Sequence, residues 1–233
     1  MRTLIFVLAG SAALLAQAAE TPTVAEVRET LAAARKAVEA YKRAGGAAAA
    51  SDHPAIKWDA ALWAYRQPDP RSEVAALASA EAVRLLVRAE LWDRAHARVA
   101  SLDADDPAWE RVAATIYEEG IARKDLPWSI ERLSGAAAAT TSPSIKSAVQ
   151  LVLGRAYRRH GDSAAATRSL EAAKESSPGT PYAEEAEGLL YEIKHLSIGL
   201  PAPPLAGTAR KGRRIDLAAL RGKPVVLVFW GTT

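Results

Sequence analysis

The chain of 233 residues contains no cysteine. That excludes a disulfide, a thiolate nucleophile and a cysteine metal site within these residues. The short patterns of familiar chemistries are also missing: there is no G-x-S-x-G, no phosphate-binding glycine loop and no zinc motif. Neither sign of charge dominates, with 30 Lys and Arg against 27 Asp and Glu for a net charge of +3, scattered through amphipathic segments without one basic stripe. A nucleic-acid partner is not expected from such a distribution. β-branched runs are scarce before residue 224, and no apolar run is comfortably long enough to span a bilayer. What is present, 49% apolar and 24% charged residues, suits one large or two modest globular domains.

The first residues read as a leader. Arg2 supplies a positive start, Leu4 to Leu15 a short apolar stretch, and Ala16-Gln17-Ala18 a small-x-small cleavage site. Residues 1–18 are therefore read as a secretory signal peptide, with an uncleaved membrane anchor as the alternative. Its removal takes away one positive charge, and no lipid-accepting cysteine follows. Export, to a periplasmic location, places the chain in an oxidising compartment with no membrane attachment after cleavage.

Residues 19–196 read as helix after helix, about eight in hairpin pairs. Thr23 and Glu26 form a capping box, and Val24, Val27, Leu31, Ala34, Val38 and Tyr41 then recur at steps of three and four along one face. Gly45-Gly46 ends that helix. Asp106-Pro107, Ser142-Pro143 and Thr180-Pro181 each place a capping side chain before a proline, whose missing N–H removes no helical bond.

Several residues invite a functional reading and have a plainer one. Trp58, Leu62 and Tyr65 could form a ligand platform, but that spacing is what a buried helix face shows. His53, His96, His160 and His195 lie far apart with no carboxylate at ligand spacing, so no metal site is expected. Glu118-Glu119 and Glu184-Glu185 read as pairs on solvated faces, since adjacent helical positions diverge. "GGAAAASDHP" and "GAAAATTSPS" read as loose connections.

One hairpin carries a specific pattern. Leu153, Gly154 and Tyr157 stand as L-G-x-x-Y, followed by Ala166, Leu170, Ala173 and Pro178. This resembles a tetratricopeptide repeat, lacking only the opening Trp, where Gln150 stands. In such a repeat Gly154 and Ala166 let the two helices approach, and Tyr157 and Leu170 fill the layer between repeats. A fainter copy places Ala95, Val99, Leu102 and Pro107 at the offsets of the second helix, and Gly188 and Tyr191 keep step after Pro181. That last segment is expected to cap the stack.

From Ile198 the texture changes to "IGLPAPPLAGTARKGRRIDLAALRGKPVVLVFWGTT". A hairpin turn is expected around Lys211-Gly212, and the basic cluster there is read as a solvated turn and not a nucleic-acid patch. Val225 to Phe229 reads as a buried strand, because its apolar run does not alternate. The order G-x-P-A-P, Gly turn, D-L-x-x-L-R-G-K, V-V-L-V-F-W resembles the opening segment of the redoxin, or TlpA-like, thiol-disulfide oxidoreductases of the bacterial periplasm. That resemblance implies a thioredoxin-like fold in which Phe229, Trp230, Thr232 and Thr233 flank the active site and a C-x-x-C motif comes immediately after Thr233. The chain is thus expected to be truncated before its redox cysteines and to be inactive itself. No cofactor is implied.

The expected fold is mainly α, a TPR-like helical-hairpin repeat domain (19–196) with a truncated C-terminal thioredoxin-like α/β segment (197–233). The expected function is a fragment of an exported thiol-disulfide oxidoreductase. Its helical repeats would bind a protein or peptide partner, and the full-length parent would act on protein thiols and disulfides. The alternative is a non-enzymatic periplasmic scaffold.

Overall fold

The computed structural model describes residues 22–46, 52–209, 211–222 and 224–228. The chain divides into two compact units, the first up to Glu187 and the second from Gly188. It is mainly helical, with nine α-helices and one two-stranded sheet among the described residues.

Helix α1 (Val24–Arg43) starts at the capping box of Thr23 and Glu26 and buries Val27, Ala34 and Val38. Helix α2 (Pro54–Ala64) starts at His53, whose Nδ1 accepts from the Ala55 N–H at 3.1 Å. Burial, with Lys42 nearby, holds the His53 pKa below its ordinary value, which favours the neutral ring that this cap needs. Helix α3 (Glu73–Arg88) is buried on two faces and is shared by two apolar clusters. One joins Leu62 of α2 and Val27 of α1 to Ala78, Ala82 and Leu85. The other joins Val83 and Leu86 to the helices that follow. Trp58 and Tyr65 pack against the first cluster beside fully buried Leu62, so that stripe is core.

Helix α4 (Trp92–Ala100) packs on α3, and α5 (Trp109–Ala122), α6 (Leu126–Ala139) and α7 (Pro143–His160) extend the second cluster through Val112, Ile116, Leu133 and Val149. Helix α8 (Ser163–Ser176) returns along α7 and is followed by α9 (Pro181–His195). Ser142 and Thr180 cap α7 and α9 as expected, accepting from Ile145 N–H and Ala183 N–H. Asp106 does not begin a helix. It accepts from Ala108 N–H within a turn and holds Arg66, and α5 starts at Trp109.

The stretch "GAAAATTSPS" is not loose. Gly135 to Ala139 belong to α6, where Ala137 is buried, and the residues after it are clasped by Asp105. That carboxylate accepts from Thr140 Oγ1 (2.7 Å), Thr141 Oγ1 (2.6 Å), and the N–H groups of Thr141 (2.7 Å) and Ser142 (3.0 Å). Small residues favour close helix packing here because alanine fills a tight contact without losing side-chain entropy. In "GGAAAASDHP", residues 47–51 lie outside the described residues.

In the second unit β1 (Ala206–Thr208) pairs antiparallel with β2 (Arg214–Asp216), Ala206 opposite Asp216. Gly212 takes φ +77° in the turn, the left-handed conformation that glycine adopts freely. Residues 217–220 form a 3₁₀ turn capped by Asp216 Oδ1 on Ala218 N–H at 2.9 Å. The strand expected at Val225 to Phe229 is not formed over its described part. Residues 224–228 have no regular structure and are exposed, Val226 to 86% and Val228 to 75%. A non-alternating apolar run makes a buried strand only where both faces are covered, whereas here Val226 and Val228 face solvent while Leu227 lines a shallow apolar recess against Leu205, Ile215 and Leu217.

Candidate functional site

Residues of α4, of the turn after it, of α5 and of α6 line a groove of about 740 Å³; α5 packs on α6, while α4, held on α3, closely approaches neither. Its floor comes from α5, where Trp109, Ile116 and Glu119 stand at steps of seven and three and so share a face. Its sides combine small residues, Ala97 and Ala100 on α4 and Gly135 and Ala139 on α6, with the larger Val99, Trp128 and Arg132. A Cβ at Gly135 would meet no atom within 4 Å. The lining is mainly apolar with a few polar groups converging at one end, the composition of a ligand or peptide site.

Glu119 dominates that polar end. Its side chain is only 2% exposed, and Oε1 accepts from His96 Nε2 at 2.8 Å and from the Arg123 guanidinium at 2.9 Å. A carboxylate can only accept, so His96 carries its proton on Nε2. The carboxylate's other oxygen, Oε2, takes no hydrogen bond from the described residues and is reached by solvent. The ring of Trp128 stacks on His96, centroids 4.9 Å apart, and takes the Arg123 guanidinium over its face at 5.1 Å. Arg123 also lies 5.7 Å from the Trp92 ring. These contacts hold the cation beside the carboxylate, where a low local dielectric strengthens the pairing.

This cluster corrects two sequence expectations. Glu118 is exposed, whereas Glu119 is buried, and His96 does have a carboxylate partner, reached across two helices. The signal was available in part: Glu119 lies seven residues after Val112 and three after Ile116, both on the buried stripe, with Arg123 one turn on. Glu184 and Glu185 are at the surface, and Glu185 pairs with Arg155.

Two further buried ion pairs brace the same unit. Asp59, 1% exposed, receives both Arg98 Nε (2.8 Å) and Arg98 NH2 (2.9 Å), with Arg94 at 3.8 Å. Arg66 donates to Asp106 at 2.6 Å and to Ser79 Oγ at 2.8 Å. The Arg66 and Arg98 guanidinium groups lie 5.0 Å and 4.5 Å from the Trp63 ring. Both pairs tie α2 and its following turn to later elements, a structural role.

The residues of the L-G-x-x-Y hairpin meet as a packing site. Leu153, Ala166, Leu170 and Ala173 are buried, Tyr157 is half-buried against the larger cluster, and Pro178 is exposed in the link after α8. A Cβ on Gly154 would lie 2.7 Å from Leu170 Cγ and Cδ2, so the glycine makes room for that leucine. Leu170 thus fills space inside the hairpin itself, in place of the expected layer between repeats. Ser147 Oγ donates to Ala173 O at 2.7 Å and fastens the open end. Sequence reasoning missed a second close approach, at Gly120, where a Cβ would collide with Ser129 Oγ and come within 3.1 Å of Asp125 O.

The residues expected beside a redox centre, Phe229, Trp230, Thr232 and Thr233, lie outside the described residues. The described part of that segment is the β1–β2 hairpin, the capped turn after it and exposed residues 224–228. Among the described residues no group of three or more His, Asp or Glu could hold a metal ion, and no helix is long and apolar enough to cross a membrane. Compared with family models, with curated proteins and with solved structures, the chain matches none.

Proposed function

We propose that the first unit is the partner-binding helical domain, TPR-like in its α7–α8 hairpin, of an exported thiol-disulfide oxidoreductase. The observation that carries the redox part is the ordered motif from Gly199 to Trp230, within which the described residues form a glycine-turned hairpin and then a capped D-L-A-A-L turn. In this reading a cysteine placed after Thr233, at the start of a helix, attacks a substrate disulfide as the thiolate. The resulting mixed disulfide is resolved by a second cysteine, which leaves the substrate reduced and the enzyme oxidised. The present residues supply the partner surface and, through Trp230, an apolar wall.

The test is the coding sequence after Thr233 together with the activity of the longer chain. A frame that opens with Cys-x-x-Cys, and insulin reduction by that product but not by residues 1–233, would bear the reading out. A stop codon there would overturn it. The groove beside α5, lying wholly within a unit that has its own core, favours as second reading a non-enzymatic periplasmic scaffold.

A further inference from the structure

We infer that the second unit rests peripherally on an anionic lipid surface, which it meets with the basic turn of the β1–β2 hairpin and the exposed apolar side chains of the same unit. This goes beyond the redox reading and does not draw on the exposed run at residues 224–228, so the two are tested apart.

The net charge of +3 conceals a division between the units. Residues 188–233 hold seven Lys and Arg against two Asp and Glu, a net +5, while residues 1–187 hold 23 against 25, a net −2. The cations are also placed differently. In the first unit Arg66, Arg98, Arg123 and Arg155 each meet a carboxylate. In the second, Lys211, Arg213, Arg214 and Arg221 are all exposed and form no ion pair among the described residues. Asp216, the one acidic residue after Glu192, is engaged in capping Ala218 N–H. Like charges gathered in this way raise a positive potential that an anionic surface lowers.

What selects lipid over another polyanion is the apolar surface of the same unit. Ile198 is fully exposed, and Leu200, Leu205, Ile215 and Leu220 are exposed as well. Leu205, Ile215 and Leu220 gather with Leu217 around the shallow recess on the hairpin. Each strand has three residues, about 10 Å at 3.3 Å per residue. The basic turn and the recess therefore lie within about the 5–10 Å to which interfacial segments sink. An acidic protein or a nucleic acid offers counter-charge but no acyl layer, whereas an anionic bilayer offers both. Long Lys and Arg stems let the charged ends stay among headgroups while apolar neighbours go deeper. No span is involved, since no helix among the described residues is long and apolar enough to cross a membrane. The sequence alone led to the expectation of a solvated turn and no membrane attachment; exposed cations beside exposed apolar side chains add a peripheral contact.

The test uses residues 19–233, because the apolar stretch of the leader would itself enter lipid, and the apolar clusters of the fold begin only at Val27. Binding is read by co-sedimentation with vesicles of phosphatidylcholine alone, or with about one-third phosphatidylglycerol. The mixed vesicles are expected to bind about a hundredfold more tightly at low salt, an advantage that raised salt removes. Arg213→Gln combined with Arg214→Gln should weaken that binding about thirtyfold, roughly fivefold per charge. Arg28→Gln combined with Arg168→Gln removes the same charge from exposed positions of the first unit and should leave it unchanged. Ile198→Ser combined with Leu200→Ser should weaken it about tenfold. All three variants should keep the circular dichroism of the parent, and polyglutamate at equal charge concentration should not displace the protein from the vesicles.

Equal binding to the two kinds of vesicle would overturn the proposal. So would equal losses from the two arginine pairs, which would make net charge and not the hairpin responsible. Binding undiminished by the Ile198 and Leu200 substitutions, or displacement by polyglutamate, would make an acidic polymer the partner and overturn the lipid surface. Each of these outcomes leaves insulin reduction by a longer chain untouched, and failure of that activity would leave vesicle binding untouched.

Discussion

Gly154 and Gly188 occupy the same place in an L-G-x-x-Y-like frame, with Tyr157 after one and Tyr191 after the other. In α7 the glycine faces Leu170 across a tight hairpin, and its tyrosine is half-buried. In α9 a Cβ at the glycine would meet nothing within 4 Å, and its tyrosine is 50% exposed. The same spacing is thus a packing device in one helix and a solvated face in the other. The difference extends to the units that hold them. The first has two apolar clusters and buried ion pairs, whereas the second exposes Ile198, Val226 and Val228. A motif gains its energetic meaning only when another element lies on it.

Four substitutions sharpen that comparison. The largest effect is expected from Arg98→Ala in the first unit, which leaves Asp59 buried with only distant Arg94 for company. Breaking such a pair costs about 3–5 kcal/mol, read as a fall in urea midpoint at unchanged slope. An unchanged midpoint would mean that Asp59 is hydrated and the pair is not structural. Gly154→Leu should cost about 1–3 kcal/mol by overpacking against Leu170, measured by thermal melting.

Gly188→Ala should act in the opposite sense. With open space around it, the substitution should stabilise α9 by about 0.5–1 kcal/mol through backbone entropy alone. Equal signs for the two glycines would erase the contrast between the helices.

The smallest effect concerns acid. Hydrogen bonds from the Thr141 and Thr140 hydroxyls, then from the Thr141 and Ser142 N–H groups, hold the Asp105 carboxyl well below its usual range. Its folded value therefore lies below its unfolded value, so its contribution is fully present above the unfolded value of about 4. That contribution shrinks as the pH falls below 4 and is gone once the folded form is protonated as well. Asp105→Ala should lower stability at neutral pH and flatten the decline on the acid side, seen by comparing urea midpoints at neutral and acid pH. Parallel pH profiles for the two proteins would contradict it. Tyr182 is pushed up to about 12 by burial and then by Glu110, which accepts its hydroxyl proton at 3.0 Å, so it stays neutral throughout this range.

Much of the helical layout was legible because the signals are local. The capping box at Thr23 and Glu26, the stop at Gly45, and the starts at Ser142 and Thr180 each involve residues within a few positions of one another. Gly154 was legible for another reason, since a glycine amid buried neighbours inside a long helix announces a close approach. Asp106 was misread as a helix start because its position before a proline has two uses, and its partner Arg66 lies 40 residues earlier. The apolar run from Val225 to Phe229 was read as a strand from its composition, but a strand needs neighbours to pair with, and its described part, residues 225–228, has none.

The sequence by itself determined where helices begin and end and which faces are apolar, because capping and periodicity depend on atoms one turn apart. Only the tertiary structure decided that Glu119 meets His96 from 23 residues away and that Asp105 clasps Thr140 from 35 away. It likewise decided that α4 and α6 stand apart to leave a groove over Trp109 and Ile116. Such meetings depend on the angle and distance at which helices cross. Those are set by how small side chains such as Ala100 and Gly135 and large ones such as Trp128 fit together across the whole unit, a sum that no local window contains.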